Sequence, residues 1–240
     1  TDRDNLELLG LQEQLIRRLN ETGKPTILII ISGRPLSVRY AADHVPAIVN
    51  AWEPGQYGGQ AIAEILYGKI NPSAKLAMTI PRHVGQISSW YNHKRSAYFH
   101  PAVCADNTPL YPFGYGLSYT KFKYSNLVLS DTVIENDGKS AIKAQITIEN
   151  IGNREGTEVC QLYINDIVSS VARPVKELKD FRRVTLKAGE KQTIEFIITP
   201  DKLAFYDVDM KLKIEPGEFK VMIGGSSKDE DLQQVTFNVK

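Results

Sequence analysis

Residues 51–82, AWEPGQYGGQAIAEILYGKINPSAKLAMTIPR, constrain the fold more than any other stretch. They read as the end of a buried strand, a Gly-rich turn, a helix over residues 59–66 and a stop at Asn71-Pro72-Ser73. A further strand over residues 76–80, closed by Pro81 and Arg82, completes the pattern. Strand, crossover helix and strand make a βαβ unit, which is right-handed in nearly all parallel sheets.

The sequence before this stretch agrees with it. TILIIIS, residues 26–32, is a continuous apolar run rich in β-branched residues, bounded by Lys24-Pro25 and Gly33. It predicts a strand buried on both faces, as in parallel sheets covered by helices. Residues 47–52 repeat the pattern more weakly. Ahead of them Leu6, Leu9, Leu11, Leu15, Ile16 and Leu19 fall largely on one helix face, with Asp2 or Asp4 as the cap and Gly23 as the stop. Three strands make a poor sheet alone, so this half is expected to be the later part of a larger α/β sandwich.

From about residue 84 to residue 119 the periodicity dissolves. Trp90, Tyr91, His93, Tyr98, His100, Tyr111, Phe113 and Tyr115 crowd this crossing segment, whose aromatic content argues against disorder. After Thr120 the chain reads as strand and turn. Strands are expected over residues 126–130, 141–149, 158–164, 175–186, 192–198, 211–214, 219–223 and 235–239. Turns at Asn136-Asp137-Gly138, Ile151-Gly152-Asn153, Lys187-Ala188-Gly189 and Glu215-Pro216-Gly217 separate them. The fold class is therefore α/β, a partial parallel-sheet sandwich, followed by an all-β sandwich.

Charge excludes some functions. Lys plus Arg is 29 against 28 for Asp plus Glu, which points away from nucleic acid and from an anionic membrane as partner. The longest apolar run is far too short to cross a bilayer. Cys104 and Cys160 either pair or stay as thiols, and neither they nor His83 and His100 have metal-ligand spacing. The chain opens on Thr1-Asp2-Arg3 and looks cut from something longer.

Residues 51–82 and their flanks resemble the C-terminal α/β domain of glycoside hydrolase family 3, the β-glucosidase and β-xylosidase family. NIGNREGTEVCQLYIND and PVKELKDFRRVTLKAGE resemble the fibronectin type III-like domain often appended to it, and LYPFGYGLSYT (residues 110–120) is a structural signature of the family. The resemblance implies an α/β domain over 1–104, a linker over 105–120 and a sandwich over 121–240. It also implies a retaining, exo-acting parent that removes terminal β-linked glucose or xylose, without a cofactor, in the periplasm or outside the cell. Retaining glycosidases need two carboxylates about 5 Å apart. In the family the nucleophile is an Asp of an N-terminal barrel, and the acid/base a Glu in a pattern like Glu-Gly-x-Asp-Arg. Thr1-Asp2-Arg3 looks like the tail of that pattern, so both catalytic residues are expected upstream of Thr1. The chain alone should be inactive, a scaffold and pocket wall for the missing barrel. A parent that has itself lost its nucleophile remains a further reading.

Candidate substrate contacts lie at two places. Glu53 and Trp52 end a predicted parallel strand, where open α/β sheets bind ligands. Trp52 can stack on a sugar face; the competing readings are a loop carboxylate ordering the Pro54-Gly55 turn and a core tryptophan. His93, Lys94 and Arg95, in a loop similar to those near the active-site mouth of some family members, can bond sugar hydroxyls, or form a solvated basic turn. Arg34 ends the first strand and reads mainly as structural. Gly55, Gly58 and Gly59 lack a Walker or dinucleotide spacing and read as close helix–strand packing. In the sandwich, Tyr163 and Phe181 are expected to fill core or to face the α/β domain. The alternative function is a carbohydrate-binding or adhesion module, for which Phe205 and Tyr206 near a turn are the available aromatics.

Overall fold

The computed structural model describes residues 4–86, 89–95 and 108–240. Thr1-Asp2-Arg3, Tyr98, His100 and Cys104 lie outside them. The chain divides into two compact units. The first runs to Ile70 and adds Met78–Ser89 and the stretch ending at Pro112; the second holds Asn71–Ala77, the stretch from Trp90, and Phe113–Lys240.

In the first unit the elements are α1 (Gln12–Glu21), β1 (Ile27–Ile31), α2 (Arg39–His44), β2 (Ala47–Trp52) and α3 (Gly58–Leu66). Strands β1 and β2 pair in parallel from Ile27–Ala47 to Ile30–Asn50. Their crossover is the short helix α2, which the sequence pattern did not reveal. Gly23 closes α1 at φ +71°, as expected of a glycine just past a helix end. The start of α1 differs from expectation: its N-cap is Leu11, no side chain caps it, and Asp4 lies eight residues before the first helical residue. Ile16, Ile30, Val38, Ala41 and Val45 form the core of this unit.

Two expectations fail here. The apolar run of β1 is buried on one face only. Ile30 is covered, but Ile27, Ile29 and Ile31 are exposed, Ile31 to 65%. Leu11 at the N-cap and Leu15 and Leu19 of α1, one turn apart, are exposed as well. The second failure is the strand expected over residues 76–80, which does not form. Its backbone bonds go elsewhere: Ile80 N–H donates to Tyr111 O, and within the other unit Leu76 N–H donates to Tyr115 O. The run is divided between two units at Ala77 and Met78, so neither end can continue a common ladder. Helix α3 consequently does not serve as the crossover between two parallel strands.

The second unit is an antiparallel sandwich. One sheet has the order β4 (Val133–Ile134), β12 (Leu232–Val239), β11 (Gly217–Gly224), β6 (Gly156–Asp166), β7 (Glu177–Leu186). Strand β4 joins it in parallel. The other sheet is β3 (Phe122–Leu129), β5 (Ile142–Asn150), β8 (Lys191–Ile198). A one-turn helix α4 (Pro200–Leu203) precedes a small hairpin of β9 (Phe205–Tyr206) and β10 (Leu212–Lys213). Alternation in β5 sends Ile142, Ala144, Ile146 and Ile148 inward against Leu162, Phe196, Phe219 and Phe237.

Strand β6 is different, being buried on both faces. Cys160, Leu162 and Ile164 enter the sandwich core. On the opposite face Tyr163 packs with Met222, Leu232, Tyr91 and Phe113. Gln161 donates to Gly114 O and Gly225 O and accepts from the Tyr163 hydroxyl. Tyr163 is thus core, as expected. Phe181 is not: on the edge strand β7 its ring is 55% exposed.

Candidate functional site

The first candidate region sits at the end of β2. Ile30 faces Asn50 but Ile31 faces Trp52, so Ala51 is an inserted residue and the ladder bulges. Bulges re-aim side chains, and here the strand leaves the ladder with Trp52 at φ +53°. A non-glycine residue in that left-handed region costs about 1–2 kcal/mol. Ser32 N–H donates to Trp52 O, 3.1 Å, fixing the turned residue. Trp52 is half-buried and Glu53 exposed. The Glu53 carboxyl rests against bare backbone, since a Cβ on Gly33 would stand 2.7 Å from its Oε1. The Asn50 side-chain oxygen, on the same strand end, is buried without a hydrogen-bond partner among the described residues. Nothing in the sequence marks Asn50 or the bulge, because both depend on how β2 is paired.

The glycines after Glu53 have particular reasons. Gly55 takes φ +67° in the turn, and a Cβ on Gly58 would strike Pro54 Cγ at 2.5 Å. Gly59 faces open space, so close packing does not account for it. Gly55 and Gly58 thus meet requirements of the turn rather than of a phosphate cradle.

The second region, in the other unit, carries His93, Lys94 and Arg95. Tyr91 anchors the loop, stacked on Phe113 at 4.2 Å and edge-on to Tyr163 at 5.8 Å. Val175 N–H donates to His93 O, and Lys94 bridges Pro174 as an isolated antiparallel pair. The His93 ring Nδ1 lies 3.1 Å from Lys94 O, so the proton belongs on Nδ1 in this arrangement. Lys94 and Arg95 are exposed and border a groove of about 390 Å³ with Asp166, Ile167, Val168, Val171 and Arg173. Neither Lys94 nor Arg95 forms an ion pair among the described residues. Trp52 and Glu53 thus belong to one unit, and His93, Lys94 and Arg95 to the other.

The sandwich also holds two carboxylic acids with raised pKa values. Burial pushes Glu158 up, opposed by Lys75; burial pushes Asp166 up, opposed by Arg173. Each is tied to a cation in its own unit, Glu158 to Lys75 at 2.9 Å and Asp166 to Arg173 at 3.4 Å. Sequence reasoning singled out neither, because their partners are brought to them only by the tertiary fold. Among the described residues no group of His, Cys, Asp and Glu is arranged to hold a metal. Of the two aromatics expected to serve a binding platform, only one is open to solvent. Phe205 is buried beneath the Arg173 guanidinium at 4.6 Å, while Tyr206 is exposed.

Residues 1–119 match the glycosyl hydrolase family 3 C-terminal domain, and residues 158–227 the fibronectin type III-like domain. A β-xylosidase of Formosa agariphila is 41% identical over all of this chain, which covers 33% of that protein. A periplasmic β-glucosidase of Salmonella typhimurium is 42% identical over 95% of the chain, covering 31% of that protein. Among solved structures, a β-glucosidase from Erythrobacter marinus superposes with a TM-score of 0.95 at 43% identity, over 100% of this chain and 31% of that one. The chain spans about a third of the length of these relatives. It belongs to glycosyl hydrolase family 3, as that family's C-terminal α/β domain continued by a fibronectin type III-like domain.

Proposed function

We propose that this chain works as part of a retaining, exo-acting β-glycosidase of β-glucosidase type, releasing terminal glucosyl or xylosyl units. The observation that carries the reading is likeness over the whole chain to a β-glucosidase of which it covers 31%. Relatives named as a β-xylosidase and a periplasmic β-glucosidase support the substrate class and a periplasmic or secreted setting. In this reading the nucleophile Asp belongs to an N-terminal barrel and the acid/base Glu to a loop of the α/β domain, both outside these 240 residues. The uncovered Ile27, Ile29 and Ile31 face is what a sheet requires if more of the same protein packs on it.

In this reading the evolutionary units are residues 1–104, 105–120 and 121–240, and the chain is scaffold and pocket wall. Trp52 stacks on a sugar ring, Glu53 accepts from sugar hydroxyls, and His93, Lys94 and Arg95 reach the outer subsites. The bulge supports the first pair: backbone strain at Trp52 is the kind of feature that collects at ligand sites.

Hydrolysis of a chromogenic aryl β-glucoside tests the proposal, by the 240 residues alone and with the upstream sequence restored. Activity only in the longer protein is expected. Turnover by the short chain would mean that both carboxylates lie within it and would overturn the assignment.

A further inference from the structure

The groove beside Lys94 and Arg95 has an unbalanced charge. Its inner wall is neutralised: Arg173, itself nearly buried, lies 3.4 Å from Asp166 Oδ2 and 2.6 Å from Glu177 Oε2, and Lys179 lies 3.5 Å from Glu177 Oε1. The same guanidinium rests on the Phe205 ring, so its rotamer is fixed from both sides. Lys94 and Arg95 have no such partners among the described residues. They leave two positive charges facing a groove whose remaining wall is Ile167, Val168, Val171 and Ala172, with Ser169 the one uncharged polar residue among them. Val168 is 75% exposed there. A volume of about 390 Å³ lies at the small end of the ~300–1,000 Å³ range of small-molecule sites.

Two cations without ion-pair partners among the described residues, over a largely apolar wall, fit a ligand with one anionic edge and one C–H face. The loop is also held rather than loose, because Tyr91 packs into the β6 cluster and Lys94 pairs with Pro174. We propose that this groove is a glycan subsite for an acidic sugar, whose carboxylate pairs with Lys94 and Arg95 while its C–H face lies on Val168 and Val171. The sugar assignment rests on the glycosidase reading above; the charge requirement does not. A guanidinium takes a carboxylate through two parallel hydrogen bonds, and Lys94 adds a point charge beside it.

The test is calorimetric titration of the protein carrying this chain with β-1,4-glucosyl-glucuronate and with cellobiose, which differ only in one carboxylate. The acidic disaccharide should bind at least ten-fold more tightly at low salt, and its advantage should shrink as salt rises. The double variant K94Q/R95Q should remove that advantage; both side chains are exposed, and circular dichroism verifies that the variant folds. Equal affinity for the two disaccharides, or an advantage that survives in the double variant, would overturn the proposal. So would equally tight binding of a 6-O-sulfated cellobiose, which would make the site a general anion site. Binding requires no turnover. A protein that selects the acidic disaccharide yet hydrolyses no aryl glycoside would therefore refute the glycosidase reading and leave the charge selectivity standing.

Discussion

Lys75 Nζ lies 2.9 Å from Glu158 Oε1, with the two side chains only 14% and 7% exposed. The Tyr124 hydroxyl donates to the same carboxylate oxygen, and Lys75 also donates to Gly116 O. This pair fastens the Asn71–Ala77 segment to β6 within the sandwich unit. Removing one partner of a buried pair leaves the other uncompensated, at a cost of about 3–5 kcal/mol. Lys75→Met should lower the denaturant midpoint of the sandwich by a corresponding amount; an unchanged midpoint would show that the pair is not coupled to folding.

The same carboxylate gives a pH dependence. Burial raises the Glu158 pKa above its unfolded value, Lys75 opposing but not cancelling the effect. A raised acid contributes stability that is full below the ordinary carboxylate value and is lost as pH rises through the folded one. Glu158→Gln should remove this component. The difference in unfolding free energy between Glu158→Gln and the parent should therefore change across mildly acidic pH and be flat on either side. A difference that is constant with pH would contradict the assignment.

Gly114 and Gly138 make a matched comparison. Both have positive φ, +77° and +72°. A Cβ on Gly114 would stand 2.0 Å from Gln161 Oε1, whereas one on Gly138 meets nothing within 4 Å. Gly138→Ala should cost only the left-handed penalty, about 1 kcal/mol. Gly114→Ala must also displace the Gln161 amide from Gly114 O and Gly225 O, and should cost about 3 kcal/mol. Equal costs in thermal unfolding would show that the cluster around Gln161 is soft.

Glu215 should titrate unusually low. The Ser170 hydroxyl and N–H both donate to it and Lys213 lies 2.9 Å away, bringing its pKa down to about 2. A depressed acid holds its contribution above the ordinary carboxylate value and loses it as pH falls toward about 2. Carboxyl carbon NMR should follow that titration. Ser170→Ala should move it upward by removing the largest cause; an unmoved titration would assign the shift to the Ser170 N–H and Lys213 instead.

Trp52 separates strain from function. Trp52→Gly relieves the φ +53° backbone and should not destabilise the first unit by more than the lost ring packing. If the ring stacks on sugar, kcat/KM of the protein carrying this chain should fall on the order of ten-fold on an aryl β-glucoside, about 1.4 kcal/mol. Full activity with a stable fold would make Trp52 a structural residue.

Much of the architecture follows from local pattern. Alternation through Ile142, Ala144, Ile146 and Ile148, with glycine turns on either side, specifies a half-buried strand whatever its neighbours. The bounds of β2 match their sequence expectation, and α3 starts one residue early and stops just before Gly68, a glycine that acts locally. Residues 76–80 look equally like a strand, but a strand exists only through its partners, and the backbone groups of Leu76 and Ile80 found theirs more than 30 residues away. Burial follows the same rule. The run in β1 is apolar enough for two covered faces, yet Ile31 is exposed because only one face meets other residues here. The candidate sites depend on position in space most of all. Trp52 and Lys94 are conspicuous as residue types, but the bulge that turns Trp52 and the Asp166–Arg173 pair in the groove that Lys94 borders are products of pairing across the fold. Periodicity and turn chemistry are written in consecutive residues; registers, buried ion pairs and exposure are set by residues distant in the chain, and only the tertiary structure decides them.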